Sequence, residues 1–188
     1  SVNRTVRLIL QPTPEQASAL ADTSAQFTEA FNAVCTWGWA NTEKNGVRLH
    51  HATYRDLKQR LPALVSDLHC QARVKATEAV RSAFALRLKG RKVGCPKSVA
   101  CPPRLNKHTF TLKWASGEVR LSTTEGRMTV PFSVPHFAEK WAGAAPLTAD
   151  LIERNGRWWL HLAVDVPAPK VAPSAEVIGV DLGLAHPA

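Results

Sequence analysis

The segment LIERNGRWWLHLAV, residues 151–164, limits the possible folds of this chain more than any other stretch. Apolar and polar residues alternate on both sides of Asn155-Gly156, as in two antiparallel strands joined by a two-residue turn. Asn and Gly tolerate the positive φ angles that a type I′ turn requires. Because side chains alternate across a strand, one of Trp158 and Trp159 must face the core and the other must face outward. The segment therefore predicts a β-hairpin within an antiparallel sheet.

Further strands are predicted on both sides of a helical region. Near the N-terminus, RTVRLIL alternates Val6, Leu8 and Leu10 with Arg7 and Ile9, which predicts a strand. The later segments FTLKW, EVRL and RMTVP predict short strands separated by ASG and TTEG turns. Strands before and after a block of helices indicate the α+β class.

Three helices are predicted between these strands. Thr13, Pro14 and Gln16 form a capping-box pattern, so the first helix should begin there and end near Trp39. YRDLKQRL predicts a short second helix that stops near Pro62, and we interpret His50-His51 as a polar loop before it. The third helix should run from about residue 67 to 89. Its small apolar face consists of Ala72, Ala76, Ala79, Ala83 and Leu86.

The positive charge of the chain is concentrated in one block. The net charge is +9, and residues 73–107 contain ten Lys or Arg against a single acid, Glu78. Such a block attracts a polyanion, although a solvated surface of mixed sign is the alternative. We therefore predict contact with nucleic acid. The candidate residues are Arg73, Lys75, Arg81, Arg87, Lys89, Arg91, Lys92 and Lys97.

Composition narrows the class of protein. Hydrophobic residues make up 45% of the 188 residues, which favours a folded chain over a disordered one. No apolar run approaches the roughly 20 residues of a membrane span, and the N-terminus lacks a signal-peptide pattern. The four irregularly spaced cysteines predict reduced thiols and a cytoplasmic protein. A zinc site at Cys95 and Cys101 is a weaker alternative, since their spacing is wider than that of a zinc knuckle.

The last segment, VIGVDLGLAHPA, predicts an apolar strand that presents the carboxylate of Asp181 at its end. One such carboxylate can hold a divalent metal ion, but two-metal phosphodiester hydrolysis needs several around ions about 3.5–4 Å apart. No Asp or Glu follows Asp181 in this sequence. Actin-like ATPases begin with a similar strand, yet theirs continues with Thr or Ser, whereas Leu-Ala-His-Pro stands here.

The order and spacing of these segments resemble the N-terminal part of the OrfB/TnpB proteins of insertion sequences, which are relatives of type V CRISPR effectors. Each matching segment alone is unspecific, but together they cover nearly the whole chain. The matching segments are the strand with PTPEQ at 8–16, AFNAV at 30–34, AF at 83–84, GRKVGCPK at 90–97, RLNKHTFTLKW at 104–114, STTEGRMTVPF at 122–132, RNGRWWLHLAV at 154–164 and VIGVDLGLAHPA at 177–188.

The resemblance implies a wedge domain, built as an OB-like β-barrel and interrupted by a helical recognition domain. A Pro-rich linker and the first strand of an RNase H-like (RuvC) nuclease domain would follow. The implied division is 1–12 and 107–166 for the wedge, 13–106 for the recognition domain, 167–176 for the linker and 177–188 for the nuclease strand.

The resemblance also implies a function. The family cleaves DNA under the guidance of an RNA and is associated with transposition, so guide RNA and target DNA are the implied partners. Asp181 matches the first of three catalytic acids, and it would bind Mg²⁺ only in a complete nuclease domain. We expect residues 1–188 alone not to cleave. The alternative is a catalytically dead, TnpB-derived regulator that binds DNA or RNA, and one exposed tryptophan of the barrel could stack a base.

Overall fold

The computed structural model describes residues 1–168, which form an α+β fold. The helices are α1 (Pro14–Ala40), α2 (Gly46–Arg60) and α3 (Ser66–Leu88). The strands are β1 (Val2–Leu10), β2 (Arg104–Leu105), β3 (Phe110–Lys113), β4 (Glu118–Thr123), β5 (Gly126–Ser133), β6 (Ala145–Arg154) and β7 (Arg157–Val166), with a 3-10 helix at His136–Trp141. None of the three helices has a stretch long and apolar enough to span a bilayer.

The seven strands form one antiparallel sheet that curls into a nearly closed barrel, in the order β2-β6-β7-β1-β5-β4-β3. Strand β1 pairs along its whole length with β7, from Val2 opposite Val166 to Leu10 opposite Trp158. At its C-terminal end β1 also pairs with β5. The α+β class and the barrel are therefore confirmed. The predicted nuclease strand at 177–188, with Asp181, and the linker beyond residue 168 lie outside the described residues.

The predicted hairpin is the β6–β7 pair. Arg154 lies opposite Arg157, and the two residues between them have the positive φ angles of 54° at Asn155 and 74° at Gly156. The side chain of Trp158 is 7% exposed and faces the core, whereas that of Trp159 is half-buried on the outer face of the sheet. The alternation expected for these two tryptophans is confirmed.

The capping box at the start of α1 also attaches this helix to the barrel. The backbone N–H of Gln16 donates to Thr13 Oγ1 at 3.2 Å, and the N–H of Thr13 donates to Gln16 Oε1 at 3.1 Å. The Gln16 amide Nε2 then donates to the carbonyl of Thr129 in β5 at 2.8 Å. The side chain of Gln16 therefore both accepts a hydrogen bond from the backbone at the helix N-terminus and fixes the position of this terminus on the sheet.

Helix α2 begins earlier than the sequence suggested. The side-chain oxygen of Asn45 accepts hydrogen bonds from the backbone N–H groups of Val47 at 2.9 Å and Arg48 at 3.1 Å. This N-cap starts the helix at Gly46. The interpretation of His50-His51 as a loop was wrong, because the cap places both residues inside the helix.

The alanine face of α3 packs as predicted except at its end. Ala72, Ala76 and Ala83 are buried, and Cys35 of α1 approaches the carbonyl of Ala76 at 4.0 Å. Leu86 continues the same helical spacing, but its side chain is 42% exposed and therefore does not pack as the alanines do. Trp39, the penultimate residue of α1, already stacks on Phe84, and α3 continues beyond the end of its partner. Helical spacing gives the direction of Leu86 but not the length of the neighbouring helix.

A single hydrophobic cluster joins the helices to the barrel. It contains Leu20 and Phe27 of α1, Val80 of α3, and Leu8 and Leu160 of the central strands, all fully buried. The cluster is continuous across the helical and strand-rich segments. The division of these residues into separate wedge and recognition domains stays a prediction.

His69 is a buried polar residue of this core. Its ring is 2% exposed, and Nε2 lies 3.1 Å from the carbonyl oxygen of Leu61, to which it donates. The other ring nitrogen, Nδ1, has no hydrogen-bond partner within residues 1–168. Burial lowers the pKa of His69 below its ordinary value, and the nearby charge of Lys58 lowers it further.

We expect the His69→Gln variant to lose part of the pH dependence of stability. Below the ordinary histidine pKa of about 6.5, the unfolded chain binds a proton at His69 that the folded chain does not bind, so acid destabilises the fold. A glutamine amide keeps the bond to Leu61 and does not titrate. Urea unfolding between pH 7.5 and 5.0 should show a shallower loss for this variant, by at most about 1.4 kcal/mol per pH unit.

The matched control is His108→Gln, which replaces an exposed ring. Its unfolding free energy should follow the wild-type pH profile. If His69→Gln and wild type lost stability in parallel on acidification, His69 would not be the residue that burial keeps neutral.

Candidate nucleic-acid interface

The end of α3 carries a group of cations whose arrangement depends on Gly90. The N–H of Gly90 donates to the carbonyl of Arg87 at 3.0 Å, and the N–H of Arg91 donates to that of Leu86 at 3.1 Å. This is a Schellman motif, and it needs a left-handed residue, which Gly90 supplies with φ 74°. The motif turns the chain back at the end of the helix, so that the residues after Gly90 lie beside those before it.

This group of cations, the basic end of α3, consists of Arg87, Lys89, Arg91 and Lys92. All four side chains are exposed, and within residues 1–168 none forms an ion pair with a carboxylate. Cations near a helix C-terminus also interact favourably with the helix dipole. This part of the block predicted from charge is therefore a surface of uncompensated positive charge, whereas Lys75 and Arg104 of the same block form ion pairs.

Arg87 is held in place by an aromatic stack. Its guanidinium carbon lies 5.8 Å from the ring centroid of Trp39, within the range of a cation–π contact. Trp39 stacks in turn on Phe84, with centroids 4.8 Å apart and rings inclined by 10°. The stack joins the ends of α1 and α3 beneath this cation.

Arg81 and Lys97 are exposed and also lack an ion pair within the described residues, but they lie apart from the basic end of α3. Arg81 Nε donates to the carbonyl of Lys44 at 2.9 Å, which ties α3 to the loop before α2. Lys97 lies in the loop before β2, beside a groove of about 990 Å³ between α1 and α2. That loop is fixed by a reciprocal pair of bonds between Asn32 and Ser98, at 2.8 and 2.9 Å.

Arg73 and Lys75 occupy a different environment. The side chain of Lys75 is 12% exposed, and its Nζ lies 2.9 Å from Asp150 Oδ1 and donates to the carbonyl of Pro102 at 2.7 Å. Arg73 is half-buried near Gly46, and its Nε is buried with no partner among the described residues. Their contact with nucleic acid remains a prediction. The structure gives Lys75 a second role, as a link between α3 and the barrel.

A second basic cluster, which the sequence analysis missed, lies on the outer face of the sheet. The concave space at this cluster has a volume of about 500 Å³, and we call it the hairpin pocket. Its three arginines come from β1, β6 and β7, and none is ion-paired to a carboxylate within residues 1–168. The alternation of Arg7 and of Trp159 along their strands was the available signal. The lining residues are Arg7, Ile152, Arg154, Asn155, Arg157, Trp159 and His161.

The described residues do not assemble a metal site. Cys95 is exposed and Cys101 is buried, and burial raises the pKa of the Cys101 thiol. Within residues 1–168, no three His, Cys, Asp or Glu side chains are grouped so that they could hold a metal ion. Asp181 lies outside the described residues, so its binding of Mg²⁺ stays a prediction.

Comparison with known proteins supports the fold. A chain in the "Cryo-EM structure of CRISPR-Cas12f Ternary Complex" is similar to this one, with a TM-score of 0.53 and 14% sequence identity. The similarity covers 90% of this chain and 43% of the Cas12f chain, so this chain spans less than half of that protein. No protein-family model matches the sequence. The search of curated proteins gave no match either.

We expect Gly90→Ala to destabilise the protein by about 1–2 kcal/mol, because an L-residue is strained at a left-handed φ. A Cβ at this position would meet no atom within 4 Å, so the cost is conformational and not steric. The measurement is the free energy of unfolding in urea. Gly94→Ala is the control, since its Cβ would also meet nothing within 4 Å and its φ is not left-handed. Equal stability of the two variants would contradict the role given to Gly90.

Proposed function

We propose that this chain binds guide RNA and target DNA as the N-terminal part of a TnpB-like RNA-guided DNA endonuclease associated with transposition. The observation that carries the proposal is the basic end of α3, four exposed cations without acidic partners within residues 1–168. The similarity of the fold to a Cas12f chain from a ternary complex supports it. The segments that resemble the OrfB/TnpB family add the finer assignment.

The electrostatics of this surface favour a phosphate backbone. The C-terminus of α3 contributes a partial charge of about −0.5, which offsets only a small part of the four positive charges. Phosphates that bind there release condensed counterions, and this release is the main driving force of sequence-independent binding. Arg81 and Lys97 would extend the contact along the nucleic acid.

In this proposal Asp181 is the first of three catalytic acids in a complete nuclease domain, where Mg²⁺ would supply the metal for phosphodiester hydrolysis. Residues 1–188 alone bind but do not cleave, because two-metal hydrolysis needs several carboxylates around the ions. The part of the chain described by the structure then serves to grip the RNA and the DNA.

A catalytically inactive, TnpB-derived regulator is the second candidate. The hydrophobic cluster that joins the helices to the barrel within residues 1–168 would give such a regulator its core. The regulator would bind a DNA duplex of preferred sequence with no RNA present. The guided nuclease would acquire sequence preference only with its RNA.

The proposal predicts a strong salt dependence that the basic end of α3 dominates. If six cations contact phosphates, raising the salt from 50 to 200 mM should weaken binding to a DNA duplex about 10³-fold. Replacing Arg87, Lys89, Arg91 and Lys92 with glutamine should reduce that loss to about tenfold, since two contacts remain. Fluorescence anisotropy of a labelled duplex and of a labelled RNA hairpin measures both slopes.

The control variant removes four other exposed charges. It replaces Arg48, Arg55, Lys113 and Lys140 with glutamine, so that its net charge equals that of the test variant. It should keep the wild-type salt slope. Equal slopes for the two variants would mean that only net charge matters, and the assignment of the basic end of α3 would fail.

A further inference from the structure

We infer that the hairpin pocket holds one unpaired nucleotide of a single-stranded segment. The base stacks on Trp159, and the adjacent phosphates are bound by the arginines from β1, β6 and β7. The inference rests on the proposed nucleic-acid binding and names a second site for it, on the barrel and not on α3. Its ligand differs as well, since the basic end of α3 requires only a phosphate backbone.

Strand register places the aromatic ring at the centre of the pocket. Trp159 on β7 lies opposite Ile9 of β1 on one side and Ile152 of β6 on the other. Residues two apart on a strand share a face, so Arg157 and His161 flank Trp159 on the same side of the sheet. The indole is half-buried between the two isoleucines, and a concave space of about 500 Å³ lies next to it.

The cations surround this ring. Arg7 lies opposite His161, and Arg154 lies opposite Arg157 at the end of the hairpin. Among the residues that the structure describes, none that lines the pocket carries a carboxylate. Positive charge therefore converges on the space next to an aromatic platform.

The pairing of Arg154 with Arg157 is unfavourable in the protein alone, because like charges directly opposite each other destabilise a strand pair. Arg60 and Arg104, by contrast, are neutralised by carboxylates. Arg60 lies 2.9 Å from Glu29, and Arg104 lies 3.1 Å from Glu78. A bound anion would relieve the repulsion between the two hairpin arginines, and phosphate oxygens match the planar guanidinium group well.

His161 adds an imidazole group to the pocket, and the charge of this group depends on its pKa. Burial lowers its pKa below the ordinary value, and the positive charges of Arg7 and Arg154 lower it further, although Asp150 opposes them. Neutral imidazole offers one donor and one acceptor to a nucleotide. The positive charge of the pocket then comes from its arginines.

The aromatic platform identifies a base and not a free phosphate as the ligand. Every base has a face that can stack on an indole, whatever the sequence. A paired base is covered by its neighbours and would have to leave the duplex to reach Trp159. A volume of about 500 Å³ also lies within the range of small-ligand pockets. These features together favour an unpaired nucleotide over duplex DNA.

The experiment compares two probes that differ only in their bases, using the 188-residue chain. One is a labelled 15-nucleotide oligothymidine, and the other is a fully abasic deoxyribose-phosphate strand of equal length. Anisotropy should show that the wild type prefers the base-bearing strand. Trp159→Leu should lose that preference by about 5- to 150-fold, the range of one stacked base, and bind the abasic strand as before.

Two further variants separate stacking from charge and from folding. Trp159→Phe keeps an aromatic ring and should keep most of the preference. Replacing Arg7, Arg154 and Arg157 with glutamine should weaken binding of both strands and lower the single-strand salt slope by about two. The triple change of Arg48, Arg55 and Arg120 to glutamine removes the same charge elsewhere and should alter neither quantity.

The results that overturn the inference are distinct from those that overturn the proposed function. If Trp159→Leu kept the wild-type ratio between the base-bearing and the abasic strand, the pocket would not hold a base. If the wild type bound neither of these strands, nor the DNA duplex or the RNA hairpin, at 50 mM salt, the proposed nucleic-acid binding itself would fail. Oligouridine in place of oligothymidine shows whether the 2′-hydroxyl contributes, and hence whether RNA or DNA is the better source of the nucleotide.

Discussion

The antiparallel pairing of β1 with β7 brings residues 2–10 of the chain against residues 158–166. The inward side chains of Val6, Leu8 and Leu10 in β1 are buried in the core, whereas Arg4 nearer the N-terminus is exposed. In chain order, the three helices lie between β1 and the other six strands described. Because contacts of such long sequence separation must overcome a large loss of chain entropy, the barrel depends on the completion of this one ladder. The hairpin pocket depends on it too, since Arg7 reaches His161 and Trp159 only across it.

Hydrogen bonds and an ion pair connect the helices to the barrel at several points. Gln16 connects the start of α1 to β5, and Lys75 connects the middle of α3 to β6. The two hydrogen bonds between Asn32 and Ser98 hold the loop before β2 against α1. These contacts lie between elements that are distant in sequence, so they oppose independent movement of the cationic helix and the sheet. A nucleic acid that bound both basic surfaces would meet a preorganised partner, which lowers the entropic cost of association.

Local patterns predicted the local structures well. The Asn155-Gly156 turn, the alternation of Trp158 and Trp159, and the Thr13 cap each depend on neighbours within a few residues, and each is confirmed. The errors arose where a competing signal or a distant partner decided. The Asn45 cap starts α2 at Gly46, before His50 and His51, which had been interpreted as a loop. Because α1 ends near Phe84, the side chain of Leu86 remains exposed.

The functional surfaces show the same limit. The concentration of charge at 73–107 located the basic end of α3, but charge alone could not show that Asp150 and Pro102 engage Lys75. The hairpin pocket joins residues from three strands, and only strand register brings them together. A pattern within one segment cannot contain that information. Asp181, which carried the catalytic prediction, lies outside the described residues.

The strand order has a consequence for the behaviour of the protein in solution. The sheet ends at β2 and β3, which have two and four residues and are the shortest of the seven strands described. Exposed strand edges are templates for pairing with other chains, and short edges offer few free N–H and C=O groups. The long strands β6, β7, β1 and β5 lie inside the order, but β2 pairs with only Ala149 and Asp150 of β6. Most of the outer edge of β6 therefore has no partner strand within residues 1–168, and pairing with another chain in a concentrated solution should begin there.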